Sequence, residues 1–476
     1  MIGDLKPHAA YKATGLPWLD QVPRHWDVRR IKTALREVDR RSSEGNEPLL
    51  SLRMQAGLVD HHALGGRPIP PAALIGYKRV LPGEIVMNRM RASSGLFAAA
   101  TSEGLVSPDY AVFSAVGQVN VAYAVQLFRT PAMMGVFRLE STGLGTGESG
   151  FLRLYSDQFG RLAIPIPPVA EQAAIMRFLE WANGRLETAL RAKRKVIGLL
   201  LEQKQAVIQR AVTQGFDANV PLKATGIPWL GEIPTHWEVR RLRTLVRGID
   251  QGVSPLAVGF LAEGDSWGVL KSGCVNRGTF RETEHKRLAS SFAFDPAIAV
   301  AVGDVLISRA CGSPSLVGSV GRVRSLRYRL ILSDKTFRAS FHRSVDPDFM
   351  VYAMNCRYYR HQVEQAISGA EGMANNLPLS SLKDFRFAVP PVDEANSIAR
   401  RIDSETFVID RRMERLEAEI QLLREYRTRL TTDVNTGHLD VREAAARLPD
   451  ATGDSLLDAP ADDFDESELT DEETEA

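Results

Sequence analysis

Two long segments of the chain carry apolar residues at alternating steps of three and four, the spacing of one face of an α-helix. The first places Ile175, Leu179, Leu186, Val196, Leu200 and Val207 on this face, with an interruption at Lys193. The second places Ile398, Ile402, Ile409, Leu416, Leu423 and Leu430 there. A period sustained over about five heptads predicts a coiled coil, so we expect these side chains to form a helix–helix or subunit interface.

Charged residues interrupt both apolar faces. Glu405, Arg412 and Glu419 occupy face positions of the second helix, which favours pairing with one specific partner over free self-association. The first helix is rich in cations, which either follow DNA phosphates or form the solvated flank of a coiled coil: Arg191, Lys193, Arg194, Lys195 and Lys204. The sequence leaves both interpretations open.

The chain contains an internal repeat with a period of about 210 to 225 residues, too long for a solenoid. Residues 13–30 return as residues 224–241, with about two-thirds of the positions identical. Residues 163–169 resemble residues 386–392, and each copy ends in Pro-Pro-Val before a long helix. These prolines end a strand and set the entry of the helix. The chain is therefore a duplicated half-protein.

Between the repeated blocks lie two divergent stretches, residues 33–160 and 244–384. Both contain short β-rich segments between Gly and Pro turns, and residues 83–89 align with residues 303–309. The predicted fold class is α+β, with two modules of mixed α/β content joined by two long coiled-coil helices in a pseudo-twofold repeat. The predicted domains are a first module (1–166), a first helix (167–215), a second module (216–389), a second helix (390–440) and an acidic disordered tail (441–476).

The net charge of +1 hides an asymmetry, because residues 450–476 contain 12 Asp and Glu and no Lys or Arg. The remaining body carries about +13, which suits a polyanionic partner. No apolar stretch is long enough to cross a membrane, and residues 1–10 lack the apolar run of a signal peptide, so we expect a cytoplasmic protein. Cys274, Cys311 and Cys356 lack metal-site spacing and are expected to be reduced.

Reading a DNA duplex requires cations for phosphates and side chains with paired donors or acceptors for base edges. Such residues occur at expected turns and strand ends of both modules: Arg53, Gln55, Asn88, Arg89, Arg91, Lys271, Arg277, Arg281 and Arg309. Arg89 and Arg309 align, which favours a shared positioning role over sequence discrimination. For each of these residues, a solvated surface position is the alternative.

The repeated blocks also contain Trp18, Trp26, Trp229 and Trp237. These rings could stack on bases, but their identical placement in both copies favours anchoring each module to a helix. His25 and His236 precede two of these tryptophans and are interpreted as packing or hydrogen-bonding residues. No metal site and no catalytic residue are predicted.

A chain organised in this way resembles the specificity subunits of type I restriction-modification systems. The resemblance covers residues 11–440. It rests on the Trp-Leu-x-x-Ile/Val-Pro-x-His-Trp block before each module, on residues 104–110 and on the Pro-Pro-Val-x-Glu helix entries. The first helix carries the Glu171-Gln172 pair of the family, whereas the second departs from it with Glu394-Ala395.

The resemblance implies that each module is a target recognition domain for one half of a split double-stranded DNA site. It implies that the two helices pack antiparallel as a spacer that docks two methyltransferase subunits, joined for restriction by two motor-nuclease subunits. This chain would then be non-catalytic and without a cofactor, while the partners use S-adenosylmethionine, ATP and magnesium. Consistently, the chain lacks the Asn/Asp-Pro-Pro-aromatic loop of an adenine methyltransferase and the G-x-x-x-x-G-K-[ST] loop of an ATPase.

Two other functions remain open from the residues alone. A nuclease with an unfamiliar site in the divergent modules would cleave DNA by itself with magnesium. A coiled-coil scaffold would bind proteins but not specific DNA, which explains the helices and leaves the divergence of the modules unaddressed.

Overall fold

The computed structural model describes residues 5–65, 68–144, 151–276, 278–289, 292–367 and 375–449. The chain forms two compact units. Unit 1 comprises residues 1–193 and 418–476, and unit 2 comprises Arg194–Glu417. Two long helices run through both ranges, so each unit contains one part of each helix.

Unit 1 begins with a β-rich module and continues into the first long helix. Its elements are β1 (Tyr11–Leu16), β2 (Leu19–Pro23), β3 (Asp27–Arg30), α1 (Ile31–Ala34), β4 (Leu35–Val38), β5 (Leu50–Arg53), β6 (Gly57–Asp60), α2 (Pro71–Leu74), β7 (Lys78–Val80), β8 (Glu84–Asn88), β9 (Phe97–Ala99), β10 (Gly104–Val106), β11 (Tyr110–Ala115), α3 (Val121–Phe128), α4 (Pro131–Glu140), β12 (Thr142–Leu144), β13 (Phe151–Arg153), α5 (Ser156–Arg161), β14 (Ala163–Ile166) and α6 (Val169–Gln214).

The central sheet of unit 1 is antiparallel, with strand order β4-β11-β8-β9. Because side chains alternate across a strand, Ile85 and Met87 of β8 face one core, whereas Val86 between them faces another. The first core also contains residues of both long helices. The second core lies under strands β5 and β10, so the sheet has a helix face and an outer face.

Unit 2 repeats this plan with a different outer layer. Its elements are β15 (Leu222–Ala224), β16 (Glu232–Pro234), β17 (Glu238–Arg241), β18 (Val246–Gln251), β19 (Ala257–Val258), β20 (Trp267–Leu270), β21 (Val275–Asn276), β22 (Thr279–Phe280), β23 (His285–Leu288), β24 (Val305–Ser308), β25 (Ala310–Cys311), β26 (Val320–Arg322), β27 (Arg329–Ile331), β28 (Thr336–Phe341), α7 (Pro347–Ala353), α8 (Arg357–Ala366), β29 (Asn375–Asn376), α9 (Leu379–Asp384), β30 (Arg386–Val389) and α10 (Val392–Asn435). A last short helix, α11 (Arg442–Ala446), belongs to unit 1.

The central sheet of unit 2 has the order β18-β28-β24-β26, which matches the central sheet of unit 1 strand for strand. The alternation is repeated as well: Val305 and Ile307 face the core shared with the helices, and Leu306 faces the outer core. Both modules are therefore built on the same mixed helix-and-strand fold, as the sequence predicts.

The long helices pack antiparallel within each unit. In unit 1, Arg427 donates to Glu187 (3.1 Å), and Lys193 donates to Glu419 (2.6 Å). In unit 2, Lys204 donates to both carboxylate oxygens of Asp410 (2.6 and 2.8 Å). Lys193 and Lys204 thus form interhelical ion pairs, and Glu419 has the specific partner that its position in the apolar face predicts.

Most of the predicted helix-face residues pack inward. Ile175, Leu179, Leu186, Ile398, Ile402, Ile409 and Leu430 are buried, whereas Leu200, Val207, Leu416 and Leu423 are half-buried. Val196 is different, because 43% of it is exposed. It contributes no buried packing between the helices, which instead bury Leu190 and Ile208. A subunit contact at Val196 stays a prediction.

One domain prediction is wrong at its start. The acidic disordered tail was expected from residue 441, but Val441, Ala445 and Leu448 are buried, and the first two belong to the main core of unit 1. These residues are apolar at a helical spacing, so they pack despite the acidic composition further on. Residues 450–476 lie outside the described residues.

Cys274 and Cys356 are buried, Cys311 is half-buried, and all three are free thiols. Over the described ranges, no helix combines the length and apolar character needed to span a membrane.

Candidate nucleic-acid interface

Each module is fastened to the start of a long helix by one glutamate. In unit 1, the buried carboxylate of Glu171, in the first turn of α6, accepts hydrogen bonds from the indole of Trp26 (3.0 Å) and from Nε2 of His25 (2.6 Å). Trp26 is fully buried. The indole N–H of a buried tryptophan needs an acceptor, and Glu171 supplies it.

The same arrangement recurs in unit 2. Glu394, in the first turn of α10, accepts from the indole of Trp237 (3.1 Å) and from Nε2 of His236 (2.7 Å). The repeated tryptophans Trp26 and Trp237 therefore anchor the modules to the helices, which confirms that interpretation over base stacking.

The departure at Ala395 changes one neighbouring contact. In unit 1, the Gln172 side chain accepts from the backbone N–H of Asn120, which caps α3, and donates to the Pro167 carbonyl. In unit 2, Ala395 is buried in the core instead. There, Asn396 donates to Asp346, the residue that caps α7. The contact between the helix start and the cap is thus kept by another residue.

The central strand of each sheet is held by an acidic residue after a glycine. Glu84 accepts from the N–H of Leu81 (2.8 Å), from Ser114 (2.6 Å) and from Arg40. Burial alone would raise the pKa of Glu84, but these hydrogen bonds outweigh it and hold the pKa below its usual value. In unit 2, Asp304 accepts from the N–H of Ala301 (3.0 Å) in the same way.

The two modules differ in the layer that covers the outer face of the sheet. We call these layers the first lobe (β5, β6, β7 and β10) and the second lobe (β19–β23 and β27). The first consists of two antiparallel pairs, β5-β6 and β7-β10. The second is built around a four-stranded sheet of order β19-β23-β20-β27 that includes a parallel pair. The shared sheet thus carries two unlike surfaces.

Four of the predicted DNA-contact residues lie in these lobes. Arg53 ends β5, and Gln55 is exposed in the turn before β6. Lys271 follows β20 and lies 3.7 Å from Glu284, and Arg281 is exposed after β22. Arg277 lies outside the described residues.

The predicted residues at the ends of β8 and β24 make internal contacts. The Asn88 side chain accepts the N–H groups of Met90 (2.9 Å) and Arg91 (3.1 Å) and so holds a turn, at which Arg91 is exposed. Arg89 donates to Glu37 (2.8 Å) and to Ser156 (3.2 Å).

The aligned Arg309 donates to the Asp334 carbonyl (2.9 Å) and lies over the ring of Phe337. These contacts hold the Arg89 and Arg309 side chains against their own modules. Their contact with DNA stays a prediction.

Comparison with known proteins gives relatives of one kind. The chain is 30% identical over 194 residues to the EcoEI specificity subunit of Escherichia coli, covering 40% of this chain and 32% of that protein. It is 24% identical over 288 residues to the MjaVIII specificity subunit of Methanocaldococcus jannaschii, covering 60% of this chain and 64% of that protein. No protein-family profile matches. The chain is thus similar in sequence to type I restriction enzyme specificity subunits.

The fold is similar to that of one solved structure. That structure concerns complex assembly and conformational transition of a type I restriction-modification system. Its TM-score is 0.61 at 14% identity, and the match covers 88% of this chain and 99% of that one. The aligned regions span a third and just under two-thirds of the two curated specificity subunits. The structural comparison supports the fold, and the sequence comparisons support the similarity to specificity subunits.

The second lobe also presents residues that the sequence analysis does not predict as DNA contacts. Lys286 is exposed on β23, and the neighbouring Arg287 lies over the ring of Phe260, which is 70% exposed. An exposed aromatic ring beside cations suits a nucleic-acid surface. The run of charged residues in and before β23 is visible in the sequence, but it does not reveal that Phe260 lies next to this strand.

Proposed function

We propose that this chain is the DNA-reading subunit of a type I restriction-modification complex and recognises a bipartite duplex target. One observation carries the proposal: two copies of one sheet, each fastened to a long helix in the same way, present different outer lobes. Identical frames with different surfaces are what reading two different half-sites requires, because base contacts specify sequence while the frame only positions them.

The proposal assigns the long helices to partner subunits. Apolar side chains are exposed on both helices, among them Leu199 and Leu201 on α6 and Leu422 and Tyr426 on α10. In unit 1, a groove beside Lys193 is lined by Leu422, Leu423 and Tyr426. Exposed apolar groups that cluster beside charged ones are typical of protein interfaces. Two methyltransferase subunits dock there, and two motor-nuclease subunits join them for restriction.

In this arrangement, the chain itself is non-catalytic. S-adenosylmethionine, ATP and magnesium are used by the partner subunits, and this chain positions those subunits by sequence.

Selection from a random duplex pool tests the proposal. The purified chain, assembled with its methyltransferase partners, should enrich two short motifs separated by a constant gap. The matched control is the partners without this chain, which should enrich no motif. A single continuous motif, or no motif, contradicts a bipartite reader.

The same complex distinguishes the other candidate functions. Assembly without any enriched motif favours the scaffold. Magnesium-dependent cleavage by the purified chain alone favours the nuclease, because the proposal places cleavage in the partners.

A further inference from the structure

Three potential metal ligands meet in unit 1 where the first module joins α6. His8, His25 and Glu171 each place one ligand atom within 4.8 Å of those of the other two. Imidazole nitrogens and a carboxylate are the ligand types of zinc sites with three protein ligands. The hydrogen bonds that fasten the module to α6 account for the positions of His25 and Glu171, but His8 takes no part in them.

His8 is buried without the hydrogen bonds that burial demands. Only 6% of it is exposed, and its Nδ1 atom has no hydrogen-bond partner among the described residues. Its Nε2 lies 3.6 Å from Glu171 Oε1, and its Nδ1 lies 3.6 Å from Asp440 Oδ2. Both separations are too long for hydrogen bonds. Neither carboxylate therefore holds the imidazole by a direct hydrogen bond, and Nε2, on the Glu171 side of the ring, is placed where it can act as a ligand.

The spacing fits a shared ion better than a direct pair. Two ligands at zinc bond lengths in a tetrahedral site lie about 3.3 Å apart, close to the distance between His8 and Glu171. Asp440 faces the other nitrogen of the His8 ring, where a carboxylate commonly orients a metal-bound histidine. His25 already contacts Glu171, and because its side chain is 40% exposed, it can shift to a coordinating distance.

We propose that His8, His25 and Glu171 bind one zinc-class divalent cation in unit 1. The ion joins the N-terminal segment, the repeated block and the first turn of α6, so its role is structural. The second repeat shows which of these ligands are present at the equivalent positions. It keeps His236 and Glu394, but Asn219 stands at the position equivalent to His8 and is exposed. The chain therefore binds one ion and not two.

Metal analysis of the full-length chain, purified without a polyhistidine tag, tests the site. After equilibration with zinc and removal of free ion, the wild type should retain one zinc per chain. His8→Asn, which copies the second repeat, should lose it. His236→Asn is the matched control and should retain it. In parallel, cobalt should give the wild type a visible absorption band that His8→Asn lacks.

Folding is checked separately by melting both chains in a chelator. The two melting temperatures should coincide there, and zinc should raise only that of the wild type. If His8→Asn does not fold, His25→Gln takes its place. A wild type that retains neither zinc nor cobalt overturns the proposal, as does equal zinc binding by His8→Asn or loss of zinc in His236→Asn.

Discussion

At the scale of single residues, the contacts that fix each module are made by side chains far apart in sequence. Glu394 is 157 residues from Trp237 and Glu171 is 145 residues from Trp26, yet each pair is joined by one hydrogen bond. Repetition of the His-Trp block and of the Pro-Pro-Val-x-Glu entry predicts that both matter. It does not predict that they meet, because contact depends on how β3 and β14, or β17 and β30, pair between them.

The predicted DNA-contact residues show the same limit. Arg and Asn residues at strand ends are suited to reading bases. Residue type alone does not show whether such a side chain contacts a base or forms a hydrogen bond within its own module. Asn88 caps a turn and Arg89 binds Glu37, both through partners that only the folded chain supplies. Gln55 and Arg281 are exposed, and their contact with DNA stays a prediction.

Replacing Glu394 by alanine tests the anchor. The substitution leaves the buried indole N–H of Trp237 without its acceptor, so we expect the free energy of unfolding to fall by about 1–2 kcal/mol. The control on the same helix is Glu414→Ala, which removes only an exposed pair with Arg411. That change should stay within about 0.5 kcal/mol. Urea titration of the two variants measures both values, and equal losses would contradict the anchor.

At the scale of elements, periodicity predicts the two long helices well because it reflects a physical repeat of the backbone. Periodicity is less accurate about which side chains face inward. Lys193 looks like an interruption of the apolar face, yet it lies in the helix pair because Glu419 neutralises it. Val196 continues the pattern but is exposed. The apolar repeat averages about 3.5 residues, whereas a helical turn takes 3.6, so the apolar positions drift around the helix. The average period does not show at which residue a side chain leaves the buried face.

Glycines in and after the long helices have opposite roles. Gly198 lies inside α6, where an added Cβ would contact nothing within 4 Å. Gly437 follows α10 in the left-handed region (φ +79°), and its added Cβ would lie 2.4 Å from Pro23 Cδ. Gly215, after α6, also has a positive φ (+73°). The helix ends therefore need glycine, whereas the helix interior does not.

Two Gly→Ala substitutions test this difference. Gly198→Ala should raise the free energy of unfolding by about 0.5–1 kcal/mol, because alanine is the better helix former. Gly437→Ala should lower it by about 1–3 kcal/mol, because it forces an L residue into a strained conformation and against Pro23. Chemical denaturation of the isolated chain measures the change in the free energy of unfolding for both variants. A stabilising effect at Gly437 would contradict the packing described after α10.

At the scale of the whole molecule, duplication explains why the fold could be predicted when the structures of the two outer lobes could not. Repeated blocks share residues, and shared residues imply a shared frame, which the matching strand orders confirm. The lobes share little sequence, so their different sheets follow from neither the repeat nor the composition. The parallel pairing of β20 with β27 joins residues about 60 positions apart and leaves no local signal.

Exchange of one module tests whether the two modules act independently of each other. Replacing residues 33–160 with the corresponding stretch of a related subunit should change one half of the recognised site and leave the other half and the gap unchanged. The physical reason is that the exchanged stretch contains the first lobe, while Trp26, Glu171 and both long helices stay in place. Replacing residues 244–384 is the matched experiment and should change only the other half.

Duplex selection on the two chimaeras measures both half-sites at once. A change in both halves from one exchange would mean that the lobes do not read independently, and a change in the gap would mean that the exchanged stretch helps to set the spacing. The anchor should survive in both chimaeras, because the exchanged stretches contain none of its His, Trp or Glu residues. Each chimaera should therefore keep its assembly with the partner subunits, and a loss of assembly would place part of the docking surface in the modules rather than on the helices.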